Sequence, residues 1–158
     1  MLLLSALALA PPPLAAGTPV QSALKFFEGE TRSDGTLKIM WGKQRRSRSV
    51  GQGTIRPDGS LSLVQKVDDE GKPPHERRWL IRPVAPGRYS GTMSQAQGPV
   101  TIDEVSGRYR LQLKTTSGLS VEQWLTPLPG GKSAKSHITV RKLGMVVATG
   151  EGMVVKTP

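Results

Sequence analysis

At 158 residues the chain has room for one domain and not comfortably for two. Three Trp, two Tyr and two Phe within 36% hydrophobic residues are too little apolar mass for a thick two-layer α/β core and favour a barrel or sandwich with a partly polar interior. The 22 Lys and Arg against 12 acids give a net charge of +10, a field that attracts phosphate, carboxylate or lipid headgroups without choosing among them; the lack of cysteine excludes disulfides but does not place the chain in a reducing compartment.

Residues 1–10 are uncharged and rich in Leu and Ala, and Pro11-Pro12-Pro13 follows. An apolar stretch of about ten residues is too short to span a bilayer and suits the h-region of a signal peptide. Ala15-Ala16-Gly17 supplies the small residues that a signal peptidase reads. Residues 1–17 are therefore expected to be a signal peptide, 18–23 a connector and 24–158 a single domain in the periplasm or outside the cell. The removed piece carries no charge, so the mature chain keeps its +10.

Beyond the connector the pattern is alternation punctuated by turns. A first strand is expected over residues 24–32, with Ser33-Asp34-Gly35 as a turn. Residues 36–41 then set Leu37, Ile39 and Trp41 against Lys38 and Met40, and Gly42 breaks the run. Over residues 45–55 Arg46, Arg48, Val50, Gln52 and Thr54 alternate with Ser47, Ser49, Gly51, Gly53 and Ile55. One face of that segment is nearly free of side chains, which permits either a close approach or a bend; a bend is favoured, because small closed barrels need glycine kinks.

Arg56-Pro57-Asp58-Gly59 is a hairpin turn, with Pro pre-setting φ and Gly taking the left-handed position. Residues 61–67 return with Leu61, Leu63, Gln65 and Val67 on one face. Residues 76–83 place Arg77, Trp79 and Ile81 opposite Arg78, Leu80 and Arg82. After a Pro-Gly turn come strands over 88–94 and 99–105, and then 108–115, where Tyr109, Leu111 and Leu113 oppose Arg108, Arg110, Gln112 and Lys114. Residues 119–126 set Val121, Gln123 and Leu125 against Glu122 and Trp124, and segments over 136–141 and 145–156 finish the chain. With short turns and no helical period, about nine to eleven strands form an all-β, antiparallel up-and-down β-barrel, closed so that no edge is exposed.

Phe26-Phe27-Glu28-Gly29, Glu76-Arg77-Arg78-Trp79-Leu80-Ile81, Gly87-Arg88-Tyr89-Ser90-Gly91, Glu122-Gln123-Trp124-Leu125 and Arg141-Lys142-Leu143-Gly144 occur in this order. In order and spacing they resemble a family of small, lipocalin-like proteobacterial envelope proteins of unknown function, many of them lipoproteins, over about residues 24–155. The resemblance implies a calycin-type barrel with a cavity and supplies no catalytic residues. With no cysteine to acylate, this chain is expected to be a soluble periplasmic or secreted form.

Specific chemistry is sparse. His75 and His137 have no second ligand at useful spacing, so no metal site is expected. Gly131-Lys132-Ser133 lacks the first glycine of a phosphate loop, since residue 126 is Thr, and the fingerprint begun by Gly51-Gln52-Gly53 meets Arg56 at its third glycine. There is no Gly-x-Ser-x-Gly elbow. Asp103 and Glu104 point to opposite faces of a strand, and Glu28 and Glu30 read as solvated. No catalytic residue and no cofactor is assigned, and an enzyme is the least favoured reading. The run Lys43-Gln44-Arg45-Arg46-Ser47-Arg48 lacks the interleaved aromatics of a nucleic-acid groove; it reads first as a solvated strand face, and as a partner an acidic envelope surface would suit it better than nucleic acid.

The candidate ligand site combines Trp41, Trp79, Tyr89, Tyr109 and Trp124 with Arg48, Arg77 and Arg108. If they point inward, they make an apolar pocket with an anion-fixing group. The expectation is a non-enzymatic barrel that holds a small amphipathic or anionic ligand, with no transmembrane span and no nucleic-acid partner. The alternative is a filled barrel whose basic outer face docks to acidic membrane or polysaccharide.

Overall fold

The computed structural model describes residues 22–158; the expected signal peptide and most of the connector lie outside the described residues. A single helical turn, α1 (Ala23–Phe26), precedes ten strands: β1 (Gly29–Ile39), β2 (Gln44–Ile55), β3 (Leu61–Asp69), β4 (His75–Ala85), β5 (Arg88–Met93), β6 (Val100–Val105), β7 (Arg108–Lys114), β8 (Ser120–Pro127), β9 (Ser133–Lys142) and β10 (Met145–Lys156). Each strand pairs antiparallel with its sequence neighbour, and β1 pairs with β10 to close the barrel. The expected all-β meander is what forms.

Two local expectations fail near the start. Residues 23–26 are helical rather than extended. Ser22 caps them, its hydroxyl accepting from the Lys25 backbone N–H at 3.2 Å, and Phe26 and Phe27 meet edge to face at 5.1 Å. Ser33-Asp34-Gly35 does not turn either: β1 runs straight through it, paired on both sides. Asp34 points outward to Arg46 at 2.7 Å, and Gly35 lies beside Gly152 of β10, where a side chain would strike the Glu151 carbonyl. Turn propensity yields here because two long neighbouring strands satisfy the backbone of every residue in the segment. The turn comes instead at residues 40–43, with Trp41 at φ 58°.

The side-chain-poor face of β2 points inward. β2 keeps its register with both neighbours without a bulge. A Cβ on Gly53 would overlap the carbonyl of Phe27, so close approach is the need that Gly53 meets. It lets the end of α1 lie across one mouth of the barrel. The Arg56–Ser60 turn is as expected, with Gly59 at φ 83° and Asp58 accepting from both the N–H and the hydroxyl of Ser60.

The meander gives the barrel two unlike ends. At the α1 end, Leu24, Phe26, Leu61, Ile81, Tyr109, Leu125 and Val154 belong to one buried apolar cluster. At the other end lie the turns after β1, β3, β5, β7 and β9, which leave the interior open.

Candidate functional site

Period-2 alternation decides which side chains line the interior. The barrel encloses a cavity of about 550 Å³, within the usual range for small-molecule sites. Its floor is apolar, formed by Leu24 and Phe27 of the α1 segment with Leu61, Tyr109 and Leu125. Leu63, Ile102, Leu111, Leu113, Val121 and Ile138 continue the apolar wall upward.

A polar belt crosses this wall at two places. On β2–β4, Gln65 stands beside Arg77 in the register, and Ser47 beside Asp69. The Trp79 indole N–H donates to Gln65 Oε1 at 2.6 Å, and the Ser47 hydroxyl donates to Asp69 Oδ1. Across the barrel, Gln123 of β8 donates from Nε2 to the Ser136 hydroxyl at 2.8 Å. Among the described residues no buried side-chain nitrogen or oxygen lacks a partner, so the neutral members of the belt largely satisfy one another.

Arg77 differs. Its guanidinium faces the cavity and its partner is Asp69, at 3.9 Å, too long for a charge-assisted hydrogen bond. Burial lowers its pKa from the ordinary value, opposed by the Asp69 charge, but an arginine remains protonated under such a shift. The result is a half-buried cation with spare N–H donors above an apolar chamber. Arg45, Lys72 and His75 stand nearer the mouth.

Of the eight residues expected at the site, three line the cavity: Arg77, Trp79 and Tyr109. Burial pushes the Tyr109 hydroxyl up to about 12, with the Glu104 and Tyr89 charges adding to the effect, so it is neutral in ordinary buffers. Tyr89 is buried in the core rather than on the cavity wall. The remaining four are outside. Arg48 faces out with Asp34 at 3.5 Å, because its strand phase opposes that of Ser47 and Ser49. Trp124 also faces out. Arg108 stacks over its ring at 4.4 Å, and its indole N–H donates to Glu122, itself gripped by Arg110 at 2.6 Å. Trp41 sits at a turn tip, 89% exposed.

Gln65, Asp69, Gln123 and Ser136 were missed as cavity residues. For the glutamines a signal existed: each is a polar residue on an otherwise apolar strand face, Leu61-Leu63-Val67 for one and Val121-Leu125 for the other. Asp69 continues the same phase beyond Val67. Among the described residues no group of three or more metal-ligating side chains occurs, and no helix is long and apolar enough to cross a membrane.

No protein-family model matches the chain, and no curated protein sequence matches it. Solved structures do. The S-type phycobiliprotein lyase CPES from Guillardia theta is similar with a TM-score of 0.67 at 8% identity, over 85% of this chain and 90% of that one. Rv2717c from M. tuberculosis is similar with a TM-score of 0.61 at 15% identity, over 89% of this chain and 99% of its own. At such identities the likeness is one of fold, and that fold is a lipocalin-like, closed β-barrel.

Proposed function

We propose that this protein is a non-enzymatic carrier that holds one small amphipathic, anionic, lipid-like molecule, tail inward on the floor of the barrel and headgroup at Arg77. The observation that carries this reading is the 3.9 Å spacing between Arg77 and Asp69 inside a chamber of about 550 Å³. A cation left loosely paired over apolar walls is the arrangement that a carboxylate or phosphate headgroup completes, supplying the short bidentate contacts Asp69 does not make. Asp69, the carboxylate beside Arg77, accepts from the Ser47 hydroxyl, and Glu70 at the mouth accepts from the Arg46 N–H, an arrangement that favours binding over acid–base chemistry.

Export to the envelope, and kinship with the small envelope barrels that the sequence motifs resemble, belong to the same proposal; their support is the signal-like pattern over residues 1–17. Native mass spectrometry of protein recovered from a periplasmic extract tests both parts. The expected spectrum shows a chain shortened near Gly17 and carrying one bound small molecule. A bare mass, together with failure to bind an anionic fluorescent fatty-acid analogue, rules out the carrier; an unshortened chain confined to the cytoplasm rules out export.

A further inference from the structure

The large apolar side chains at the open end are not spread around the mouth. Met40 and Trp41 occupy the β1–β2 turn, Leu143 the β9–β10 turn, and Met145 the start of β10 beside it. Because β1 pairs with β10, these turns are neighbours: Ile39 lies opposite Ala148, and the Met40 N–H donates to the Val147 carbonyl at 2.9 Å. Trp41, Leu143 and Met145 are 89%, 95% and 63% exposed. Trp41 and Leu143 adopt φ of 58° and 49°, a region that costs a bulky residue free energy and usually selects Gly or Asn. A tight hairpin turn requires positive φ, as Ser106 shows at φ 51°, but it does not require a large apolar side chain there.

Charge follows the same segments. Lys38, Lys43, Arg45 and Arg46 flank one tip and Arg141 and Lys142 the other, with no carboxylate in residues 38–46 or 141–146. Across the mouth, the turns over 94–99 and 115–119 carry no charge and are tied together by the Ala96–Thr115 bridge and by Thr116 N–H donating to the Gln95 carbonyl. One lip of the barrel is thus apolar at its tips and cationic behind them, and the opposite lip is neutral and closed on itself; between them the β3–β4 turn brings Glu70 against Arg45 and Arg46.

We infer that the lip formed by the β1–β2 and β9–β10 turns is a docking surface for an anionic lipid bilayer. Trp41, Leu143 and Met145 enter the headgroup layer, and Lys43 and Lys142 beside the tips, with Lys38 and Arg141 behind them, meet the lipid phosphates; Arg46 is already paired with Asp34 and Arg45 lines the cavity. Trp suits that depth because its ring is apolar and its N–H is polar, and a few inserted side chains with basic neighbours give reversible, composition-dependent binding. Charge complementarity selects the bilayer over a second copy of this chain, whose corresponding lip carries the same positive field. Docked this way, the cavity mouth faces the lipid, which makes the lip a route for loading; that last step rests on the carrier reading, while docking itself does not.

The test is co-sedimentation of the purified protein with phosphatidylglycerol/phosphatidylcholine vesicles, with tryptophan emission followed in parallel. Expected are binding that grows with phosphatidylglycerol content and weakens with salt, and a blue shift lost in Trp41→Ala. Trp41→Ala/Leu143→Ala/Met145→Ala and Lys43→Glu/Lys142→Glu should each bind about tenfold or more weakly and melt as the parent does, since these side chains are exposed. Both variants should still take up an anionic fluorescent fatty-acid analogue from solution, which separates failure of docking from failure of the carrier reading. Equal sedimentation of parent and variants, or an unshifted Trp41 emission on anionic vesicles, overturns the inference. So does a dimer in solution that the triple variant abolishes, since the lip would then belong to a second copy.

Discussion

Phe27 lays its backbone against Gly53 at the closed end, and Leu61 beneath it is 2% exposed; at the open end Leu143 stands almost wholly in solvent and Trp41 adopts a backbone conformation ill-suited to a ring. The same ten strands carry both ends, so strand pairing does not explain the contrast. At one end side chains remove one another from water, and the energy of the fold collects there. At the other, apolar surface is left uncovered and conformational cost is tolerated, which single-chain stability does not reward. On the proposed reading, stability and recognition are divided along the barrel axis, with Arg77 between them.

If that division holds, Leu61→Ala should be the most damaging single change, lowering unfolding free energy by about 2–5 kcal/mol in chemical denaturation; a loss no larger than that of an open-end variant would erase the contrast. Gly53→Val, which forces α1 off the floor, should cost about 3 kcal/mol and expose the cavity from below, seen as faster quenching of Trp79.

Midway along the axis, Arg77→Met should separate the two properties. Affinity for an anionic probe falls about tenfold or more, while the melting temperature holds or rises, because a partly buried, poorly paired cation is replaced by an apolar chain of similar volume. Displacement titration and calorimetry on one sample check both. A stability loss matching the affinity loss would make Arg77 a structural residue.

Smaller effects should appear with pH. Tyr109 has its folded pKa raised to about 12, with burial the main cause. Below the ordinary value of 10.0 both folded and unfolded chains keep the proton and its contribution is fully present; between there and about 12 the unfolded chain releases it first, so stability falls as pH rises. Tyr109→Phe should flatten that alkaline limb. Glu122 behaves oppositely. The hydrogen bond from Arg110 holds its pKa below the ordinary 4.5, so its contribution is present above that value and is lost on acidification through the folded pKa. Glu122→Gln should shallow the acid limb of the melting profile.

The smallest shift belongs to the open end. Trp41→Gly relieves a left-handed conformation and should change stability by no more than about 1 kcal/mol, toward greater stability, while weakening vesicle binding. A substantial loss of stability would mean that the ring packs on the barrel after all.

Much of the molecule was legible in the residue pattern. Alternation in residues 61–67, 76–83 and 108–115, with turn residues between, indicated antiparallel strands, and the short connections pointed to a meander. The polar intruders Gln65 and Gln123 marked an interior that is not pure core. Ser33-Asp34-Gly35 reads as a turn until β2 and β10 engage it from both sides, and the aromatic and arginine residues gathered into one site came from both strand phases, because alternation says that two faces exist and not which of them is enclosed.

The linear chain by itself determined the strand periodicity, the turn chemistry and the positive charge, since these depend on neighbours within a few residues. The assignment of Arg77 to the inside and Arg48 and Arg108 to the outside, the seat of Phe27 on Gly53, and the gathering of Trp41 with Leu143 on one lip were decided only when β10 met β1. Ring closure makes one face concave and brings together residues a hundred positions apart, and such long-range geometry has no local signature to read.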